Sequence, residues 1–166
     1  MEKTANYEPY FNSAKLSVFR FEGLQDYSAT DGDDIVTHFA LTGKLPIHPS
    51  ETKWCQDMLQ KNKNGIKTAR VRLVMLPLND YTKMELAWHR EASAYSGDDI
   101  RIIEHDKFQI MFGDFLPDFW LIDDQYAFKM NYGPKGEFLS DEKVPPSDLK
   151  KYIEYKEKLM SISVPL

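Results

Sequence analysis

The fold is decided by residues 69–103, which read ARVRLVMLPLNDYTKMELAWHREASAYSGDDIRII. The first eight residues of this stretch, 69–76, are rich in β-branched and apolar side chains, and Pro77 follows them directly. Such a composition is typical of a strand that is covered on both faces. The stretch therefore predicts an interior strand at its beginning.

A helix and a second strand follow. Asn79 or Asp80 offers an N-cap, apolar residues then recur at helical spacing, and Gly97 can end the helix, which predicts a helix over about 80–96. Residues 100–104 are apolar again and predict a second strand. Strand, capped helix and strand within about thirty residues form the βαβ pattern, so we expect the two strands to be parallel neighbours.

The next part of the chain predicts antiparallel strands. Residues 119–122 and 126–130 are apolar and aromatic, and the turn residues 123–125 separate them. A second turn at 133–136 leads to a short third strand at 137–139. We therefore expect a hairpin that extends into a small meander.

The N-terminal part is less regular. In the segment 16–22, Phe19 and Phe21 share one face while Val18, Arg20 and Glu22 share the other, which predicts a half-buried strand. Residues 35–41 are short and apolar and fit either a strand or a helix. A helix is expected from Ser50, as N-cap, to Gly65.

A closing helix is expected to begin at Ser147 after two prolines. Together these elements predict an α+β fold, with a mixed β-sheet built on a βαβ unit followed by the hairpin or meander, and with about three helices including the C-terminal one. We expect a single globular domain over residues 1–166. Its N-terminal strand and helix part would cover 1–67, and the βαβ, hairpin and helix part would cover 68–166.

The three tryptophans are expected in the core. Trp54, Trp88 and Trp120 each lie on an apolar stripe or within an apolar strand.

Composition limits the functional classes. The chain has 166 residues, a net charge of −5 and a single cysteine, Cys55. Neutralising phosphates needs a basic face, so the acidic balance argues against broad nucleic-acid binding. One cysteine allows no intrachain disulfide, and no apolar run is long enough for a membrane span. We therefore expect a cytoplasmic protein that does not bind membranes and has no cofactor.

One short motif could bind phosphate. His105 and Lys107 follow the second strand of the βαβ unit, and an H-x-K pair could supply an imidazole nucleophile and a phosphate-holding lysine. Phospholipase-D-like phosphodiesterases use this pattern, to which the segment is weakly similar. That pattern also needs an Asp five residues after the Lys, where this chain has Phe112, and a following Gly-Ser that is absent. A solvated loop is therefore the expected structure here.

Acidic and histidine residues give no metal signature. Asp114, Asp118, Asp123 and Asp124 surround an apolar strand, but carboxylates at such places are also ordinary turn residues. Glu85 and His89 are one helical turn apart, without the second histidine of H-E-x-x-H, and are expected either to form a surface pair or to flank the Trp88 stripe. We predict no metal site, and no group of residues has the signature of a catalytic site.

The arginines are the more informative residues. Arg70 and Arg72 share one face of an interior strand, and Arg101 lies on the partner strand. A buried arginine needs a carboxylate or a phosphate. The expected partner is an internal acid such as Glu85, Glu104 or Asp118. An anionic ligand at the carboxyl ends of the strands is the functional alternative. The candidate ligand- or partner-binding cluster comprises Arg72, Glu85, Arg101 and Asp118.

Several short motifs resemble an uncharacterised bacterial family, a domain of unknown function found mainly in actinobacteria, whose genes often lie beside helix-turn-helix regulators. The resemblance covers the chain from about Phe19 to Leu166, with residues 105–115 longer here than in the family pattern. The motifs are Arg70-Val71-Arg72, Pro77-Leu78-Asn79-Asp80-Tyr81, Glu85-Leu86, residues 97–102, residues 116–124 and the closing helix from Tyr152. The resemblance implies a small cytosolic accessory or effector protein that works with a transcription regulator. It implies no catalytic residue.

Two functions are therefore expected as alternatives. The first is a non-enzymatic regulatory or accessory protein that binds a protein partner, with a helix-turn-helix transcription regulator as the candidate. The second is a degenerate phosphodiesterase-like domain that binds or cleaves a phosphate-containing ligand through Arg72, Arg101, His105 and Lys107. The first function requires an exposed apolar patch, and the second requires His105 and Lys107 to point into one cleft with the arginines.

Overall fold

The computed structural model describes residues 5–166, and within this range the chain forms a mixed α+β fold around a seven-stranded sheet. The strand order is β6-β5-β4-β1-β2-β3-β7. The strands are β1 Ser17–Glu22, β2 Lys67–Val74, β3 Asp99–Glu104, β4 Phe119–Ile122, β5 Tyr126–Tyr132, β6 Phe138–Lys143 and β7 Val164–Pro165.

Helices cover both faces of the sheet and are more numerous than expected. Seven α-helices occur in residues 5–166, where the sequence predicted about three. They are α1 Glu8–Asn12, α2 Ser28–Asp31, α3 Asp33–Thr42, α4 Lys53–Lys63, α5 Asp80–Ser96, α6 His105–Phe112 and α7 Leu149–Ile162. Short 3₁₀ turns at Pro49–Glu51 and Pro146–Asp148 precede α4 and α7. Most of the additional helices are short, and a short helix has little room to show a periodic pattern.

The βαβ unit is confirmed. Strands β2 and β3 pair in parallel, with Leu73 opposite Ile103, and α5 connects them. The Asn79 side chain caps α5 by accepting from the Thr82 N–H at 2.8 Å, and Gly97 ends it in the left-handed conformation at φ 80°. The predicted helix bounds are therefore correct, while β2 begins and ends two residues earlier than predicted.

The hairpin is also confirmed and joins the βαβ unit through β1. Strands β4 and β5 are antiparallel, and Asp123 and Asp124 adopt positive φ values in the turn between them. The Asp123 carboxylate accepts hydrogen bonds from the backbone N–H groups of residues 15–17, which fixes this turn against the start of β1. Strand β1 then pairs antiparallel with β4 and parallel with β2, so the sheet is mixed.

Strand β1 has two buried faces, whereas its alternation predicted one. Phe19 and Phe21 pack in the main apolar core beneath α6 and α7. On the other face, Arg20 and Glu22 are only 4% and 7% exposed. This polar face is buried because the N-terminal helices, α4 and α5 cover it. The charged residues of β1 therefore lie inside the protein, where ordinary alternation would place them in solvent.

Two further expectations are settled by the fold. The undecided segment 35–41 is helical and forms most of α3. The helix expected from Ser50 begins at Lys53, because the Thr52 side chain is its N-cap and residues 49–51 form a 3₁₀ turn. None of the helices in residues 5–166 combines the length and apolar character that crossing a bilayer requires.

Candidate functional site: a polar cavity on the sheet

A cavity of about 480 Å³ lies between the polar face of the sheet and the helices that cover it. Strands β1 and β2 form its floor, and α4 and α5 contribute walls. Its aromatic lining residues are Tyr7, Tyr27, Trp54, Tyr81, Trp88, Trp120, Tyr132 and Phe138. Its ionisable lining residues other than tyrosine and cysteine are Glu8, Arg20, Glu22, Asp31, Arg70, Glu85, His89 and Asp98. The volume falls within the range of small-molecule sites, which is roughly 300–1,000 Å³.

All three tryptophans line the cavity, but they differ in burial. Trp120 is buried, as expected. Trp54 and Trp88 are only partly buried and line the cavity. These two rings therefore present apolar surface to any molecule that enters.

Arg72 and Glu85 form the most deeply buried ion pair beneath the cavity. Arg72 has no exposed surface, and its Nε lies 3.1 Å from both carboxylate oxygens of Glu85. The second contact joins Arg72 Nη2 and Glu85 Oε2 at 3.0 Å. The expected internal acid for Arg72 is therefore Glu85, which contacts two nitrogens of the guanidinium, Nε through hydrogen bonds and Nη2 through an ion-pair contact alone.

Glu85 also contacts His89. The Nε2 atom of His89 lies 3.0 Å from Glu85 Oε1, and both residues are buried. Of the two expectations for this pair, the surface position is wrong, because α5 turns this face toward the sheet. Burial alone would raise the pKa of Glu85, but Arg72 and the hydrogen bond from His89 hold it below its ordinary value.

Glu22 and Arg70 make a second ion pair on the cavity floor. They lie on neighbouring strands, and Arg70 Nη1 donates to Glu22 Oε1. Burial would raise the pKa of Glu22, but Arg70 and Arg20 outweigh it and lower the pKa to about 2. Glu22 and Glu85 are thus both ionised at neutral pH.

Asp118 belongs to a third group around Arg20. Arg20 Nη2 lies 3.4 Å from Asp118 Oδ2 and donates to the Tyr132 hydroxyl at 2.7 Å. Asp118 also accepts from the Tyr27 hydroxyl and from the Gly23 N–H. The Tyr27 ring centroid lies 5.2 Å from the Arg72 guanidinium carbon, so this group adjoins the Arg72–Glu85 pair.

Arg101 lies apart from this cluster. Its strand position is opposite Val71, which places its side chain on the face of the sheet away from Arg72. Arg101 donates from Nε and Nη2 to the hydroxyl and carbonyl oxygens of Ser163. The structure therefore brings three of the four predicted site residues together, and Arg101 instead anchors the C-terminal segment.

His105 and Lys107 lie in the first turn of α6, where the sequence predicted a loop. This helix packs beneath the opposite face of the sheet, and neither residue lines the cavity. Residues two apart on a helix do not face each other, unlike residues two apart on a strand. The structure does not bring His105 and Lys107 together with Arg72.

Several cavity residues were missed by sequence reasoning, namely Arg20, Glu22, Tyr27 and Asp98. The available signal was the alternation in β1, which places Arg20 and Glu22 on one face. Their strand neighbours across β1 and β2 are Arg70 and Arg72. Recognising a shared charged face required knowing that β1 and β2 are adjacent and that helices cover this face.

Four buried polar side-chain atoms have no hydrogen-bond partner among residues 5–166. Three belong to residues that line the cavity, namely Arg20 Nη1, Arg70 Nε and Asp98 Oδ1, and the fourth is Arg72 Nη2 beneath it. Burial raises the pKa of Asp98, although the Arg70 charge and a hydrogen bond from Thr68 oppose the rise. Buried polar atoms without partners are costly. The cavity therefore offers both hydrogen-bond donors and an acceptor to a bound molecule.

Glu22, Glu85 and His89 are the residues that could hold a metal ion. Within residues 5–166, one atom from each of the three lies within 4.8 Å of the others. Both carboxylates already neutralise arginines, Arg70 and Arg72, and these guanidiniums would repel a divalent cation. The donor set thus fits an internal charge network better than a metal centre.

The other acidic candidates have structural partners. Asp123 accepts backbone hydrogen bonds in its turn, and Asp124 lies 2.8 Å from Lys156 Nζ. Asp114 accepts from Gln109 at 2.7 Å. None of these three carboxylates lines the cavity.

Comparison with known proteins identifies a family. A family described as Domain of unknown function (DUF6879) matches residues 5–166. A search of curated proteins found no match.

Proposed function

We propose that this chain, which belongs to the DUF6879 family, is a non-enzymatic accessory protein that binds a small molecule in the cavity on the polar face of its sheet. The observation that carries this proposal is the set of unpaired polar atoms at the cavity: Arg20 Nη1, Arg70 Nε and Asp98 Oδ1. A ligand that supplied their hydrogen bonds would recover the free energy lost by burying them.

The remaining polar groups of the cavity support a pre-formed binding site. Glu22 and Glu85 are each held by an arginine, so their positions are fixed before any ligand enters. Pre-organised polar groups reduce the entropy that binding must overcome. The aromatic walls supply the apolar contact area that small-molecule sites need.

Binding is favoured over catalysis by the way in which the reactive groups are used. Glu85 already neutralises Arg72 and contacts His89, so it is poorly suited to act as a general base. Burial raises the pKa of the Cys55 thiol, which keeps it protonated.

Capture from a metabolite extract tests this proposal. The purified protein is incubated with an extract of its native host, repurified and analysed by mass spectrometry for bound small molecules. Ala92 lines the cavity, so Ala92→Leu should block it, whereas Ala94→Leu on the exposed side of α5 is the matched control. A small molecule bound by wild type and Ala94→Leu but not by Ala92→Leu is expected. Equal binding by all three proteins would refute the proposal.

A protein partner is the second function, and an exposed apolar surface favours it. Ile110 and Phe115 are 88% and 75% exposed, and Met111 lies between them in sequence. We name these three residues the α6 surface. Contiguous exposed apolar patches are typical of interaction sites, and these three residues lie close together in sequence at the end of α6 and just after it. A helix-turn-helix transcription regulator is the partner class that we propose.

The partner proposal is tested with substitutions on this surface. Ile110→Ser and Phe115→Ser should abolish co-purification of a transcription regulator from the native host, as measured by affinity capture and mass spectrometry. Leu41→Ser is the matched control, because Leu41 is 82% exposed on a different helix, α3. If the regulator is lost equally with all three variants, or with none, the α6 surface is not its binding site.

A further inference from the structure

We infer that the ligand of the cavity is an uncharged planar heteroaromatic compound, a purine base or nucleoside without phosphate, whose edge accepts a hydrogen bond from Arg70 Nε and donates one to Asp98 Oδ1. This inference rests on the proposed small-molecule function. It adds the ligand's shape, charge and hydrogen-bonding pattern.

The first argument concerns charge. Arg70 is paired with Glu22, and Arg20 is paired with Asp118. Neither guanidinium therefore has an uncompensated charge to offer an anionic ligand. What remains available on them is hydrogen-bond donation, from Arg70 Nε and Arg20 Nη1. A neutral acceptor such as a ring nitrogen or carbonyl oxygen matches these donors.

The second argument concerns Asp98. It is 5% exposed, lines the cavity and has an oxygen without a partner. Ala92 and Ser96, in the last turns of α5, also line the cavity. An N–H or amino group on the ligand would complete the bonding of Asp98 Oδ1. A ligand with only acceptors would leave this oxygen unpaired, and a ligand with only donors would leave the arginine atoms unpaired.

The third argument concerns shape. The Trp54 ring centroid lies 5.9 Å from the Arg70 guanidinium carbon. The Trp120 ring centroid lies 5.2 Å from the Arg20 guanidinium carbon. Each available arginine donor therefore has an indole ring beside it. These two indoles are already stacked, Trp54 on Phe11 and Trp120 on Tyr7. Trp88 lines the cavity, is only partly buried and stacks on no ring within residues 5–166. A flat ligand can therefore hydrogen-bond through its edge while its face contacts Trp88. Heteroaromatic bases are recognised in this way, by edge hydrogen bonds and stacking on aromatic side chains.

The fourth argument excludes a phosphate group. Carboxylates outnumber the arginines among the lining residues, and Glu8 and Asp31 are the more exposed members of this set. No lysine lines the cavity within the described residues. The lining carboxylates would repel a phosphate on the ligand, and no unpaired cation among the lining residues would compensate its charge. The base or nucleoside is therefore favoured over the nucleotide.

Isothermal titration with a defined panel tests the inference. The probes are guanosine, adenosine, their 5′-monophosphates, tryptophan as an aromatic zwitterion and tetramethylammonium as a cation. We expect at least one nucleoside to bind, and its monophosphate to bind at least tenfold more weakly. Asp98→Ala, which removes the accepting oxygen, should weaken nucleoside binding at least tenfold, while Asp148→Ala, an exposed control outside the cavity, should leave it unchanged.

The outcomes separate this inference from the proposed function. Tighter binding of a monophosphate than of its nucleoside, or binding of tryptophan or tetramethylammonium without any nucleoside, would overturn the inference. If Ala92→Leu abolished the binding of the monophosphate, tryptophan or tetramethylammonium, the proposed small-molecule function would still stand. If no probe bound while the extract experiment still gave an Ala92-dependent ligand, the purine assignment alone would be wrong. If neither experiment gave a ligand, both proposals would fail.

Discussion

Arg72 and Glu85 form a buried two-point ion pair between the second strand and the crossover helix of the βαβ unit. The Nε atom of Arg72 is 3.1 Å from both Glu85 oxygens, and Arg72 has no exposed surface. This pair links the sheet to the helix beneath the cavity. It therefore couples the stability of the fold to the geometry of the site.

Breaking this pair should strongly destabilise the protein. Glu85→Gln removes one charge and leaves Arg72 buried without its counter-ion, which typically costs about 3–5 kcal/mol. Urea denaturation followed by far-ultraviolet circular dichroism measures the change. The double variant Arg72→Met with Glu85→Leu should recover most of the loss, because it removes both charges together. A loss below about 1 kcal/mol in Glu85→Gln would show that the pair is not needed for stability.

Glu22 should make stability depend on acid pH. Its pKa is lowered in the folded protein from 4.5 to about 2, so its ionised form is stabilised by folding. The stability from this group is therefore complete above pH 4.5 and is lost as the pH falls toward 2. Unfolding free energies measured from pH 6 down to pH 2 should fall less steeply in Glu22→Gln than in wild type. Equal slopes in the two proteins would contradict the charge assignment.

Asp98 should have the opposite effect. Its pKa is raised in the folded protein by burial, so the ionised form costs stability at neutral pH, and the cost disappears as the pH falls below the unfolded value near 3.8. Asp98→Asn is expected to raise the melting temperature at pH 7 and to have little effect near pH 3.5. Asp148→Asn serves as the control at both pH values. A lower melting temperature for Asp98→Asn at pH 7 would contradict this reading.

Generic phosphodiester hydrolysis is not expected. His105 and Lys107 lie on α6, away from the cavity, and Phe112 occupies the position where the phosphodiesterase pattern needs an acid. The purified protein should therefore release no p-nitrophenol from bis-p-nitrophenyl phosphate above the rate of buffer. Turnover that His105→Ala abolishes in a folded protein would instead support the phosphate-binding alternative.

The central part of the fold was predictable because several local signals agreed. The cap at Asn79, the stop at Gly97 and the two apolar runs specified the βαβ unit, and the turn at 123–125 specified the hairpin. The order of β1 between β4 and β2 was not predictable, because pairing between distant strands leaves no local signal. The short helix α6 was missed because Gly113 ends it after two turns.

The cavity was only partly predictable for the same reason. The spacing of Arg70 and Arg72 indicated buried guanidiniums, and Glu85 was correctly among the expected partners of Arg72. Arg20 and Asp98 could not be assigned, because their neighbours come from strands and helices distant in sequence. Arg101 was grouped with Arg72 although adjacent strand positions place them on opposite faces.

Thermal stability in the presence of host metabolites tests the central claim most directly. A ligand at 100 times its dissociation constant adds about 2.7 kcal/mol to the stability of the folded state, which corresponds to roughly 5–10 °C for a chain of this size. The account predicts that a host metabolite extract raises the melting temperature of wild type and Ala94→Leu by such an amount, but not that of Ala92→Leu. No shift in wild type, or an equal shift in Ala92→Leu, would contradict the claim that the cavity binds a small molecule.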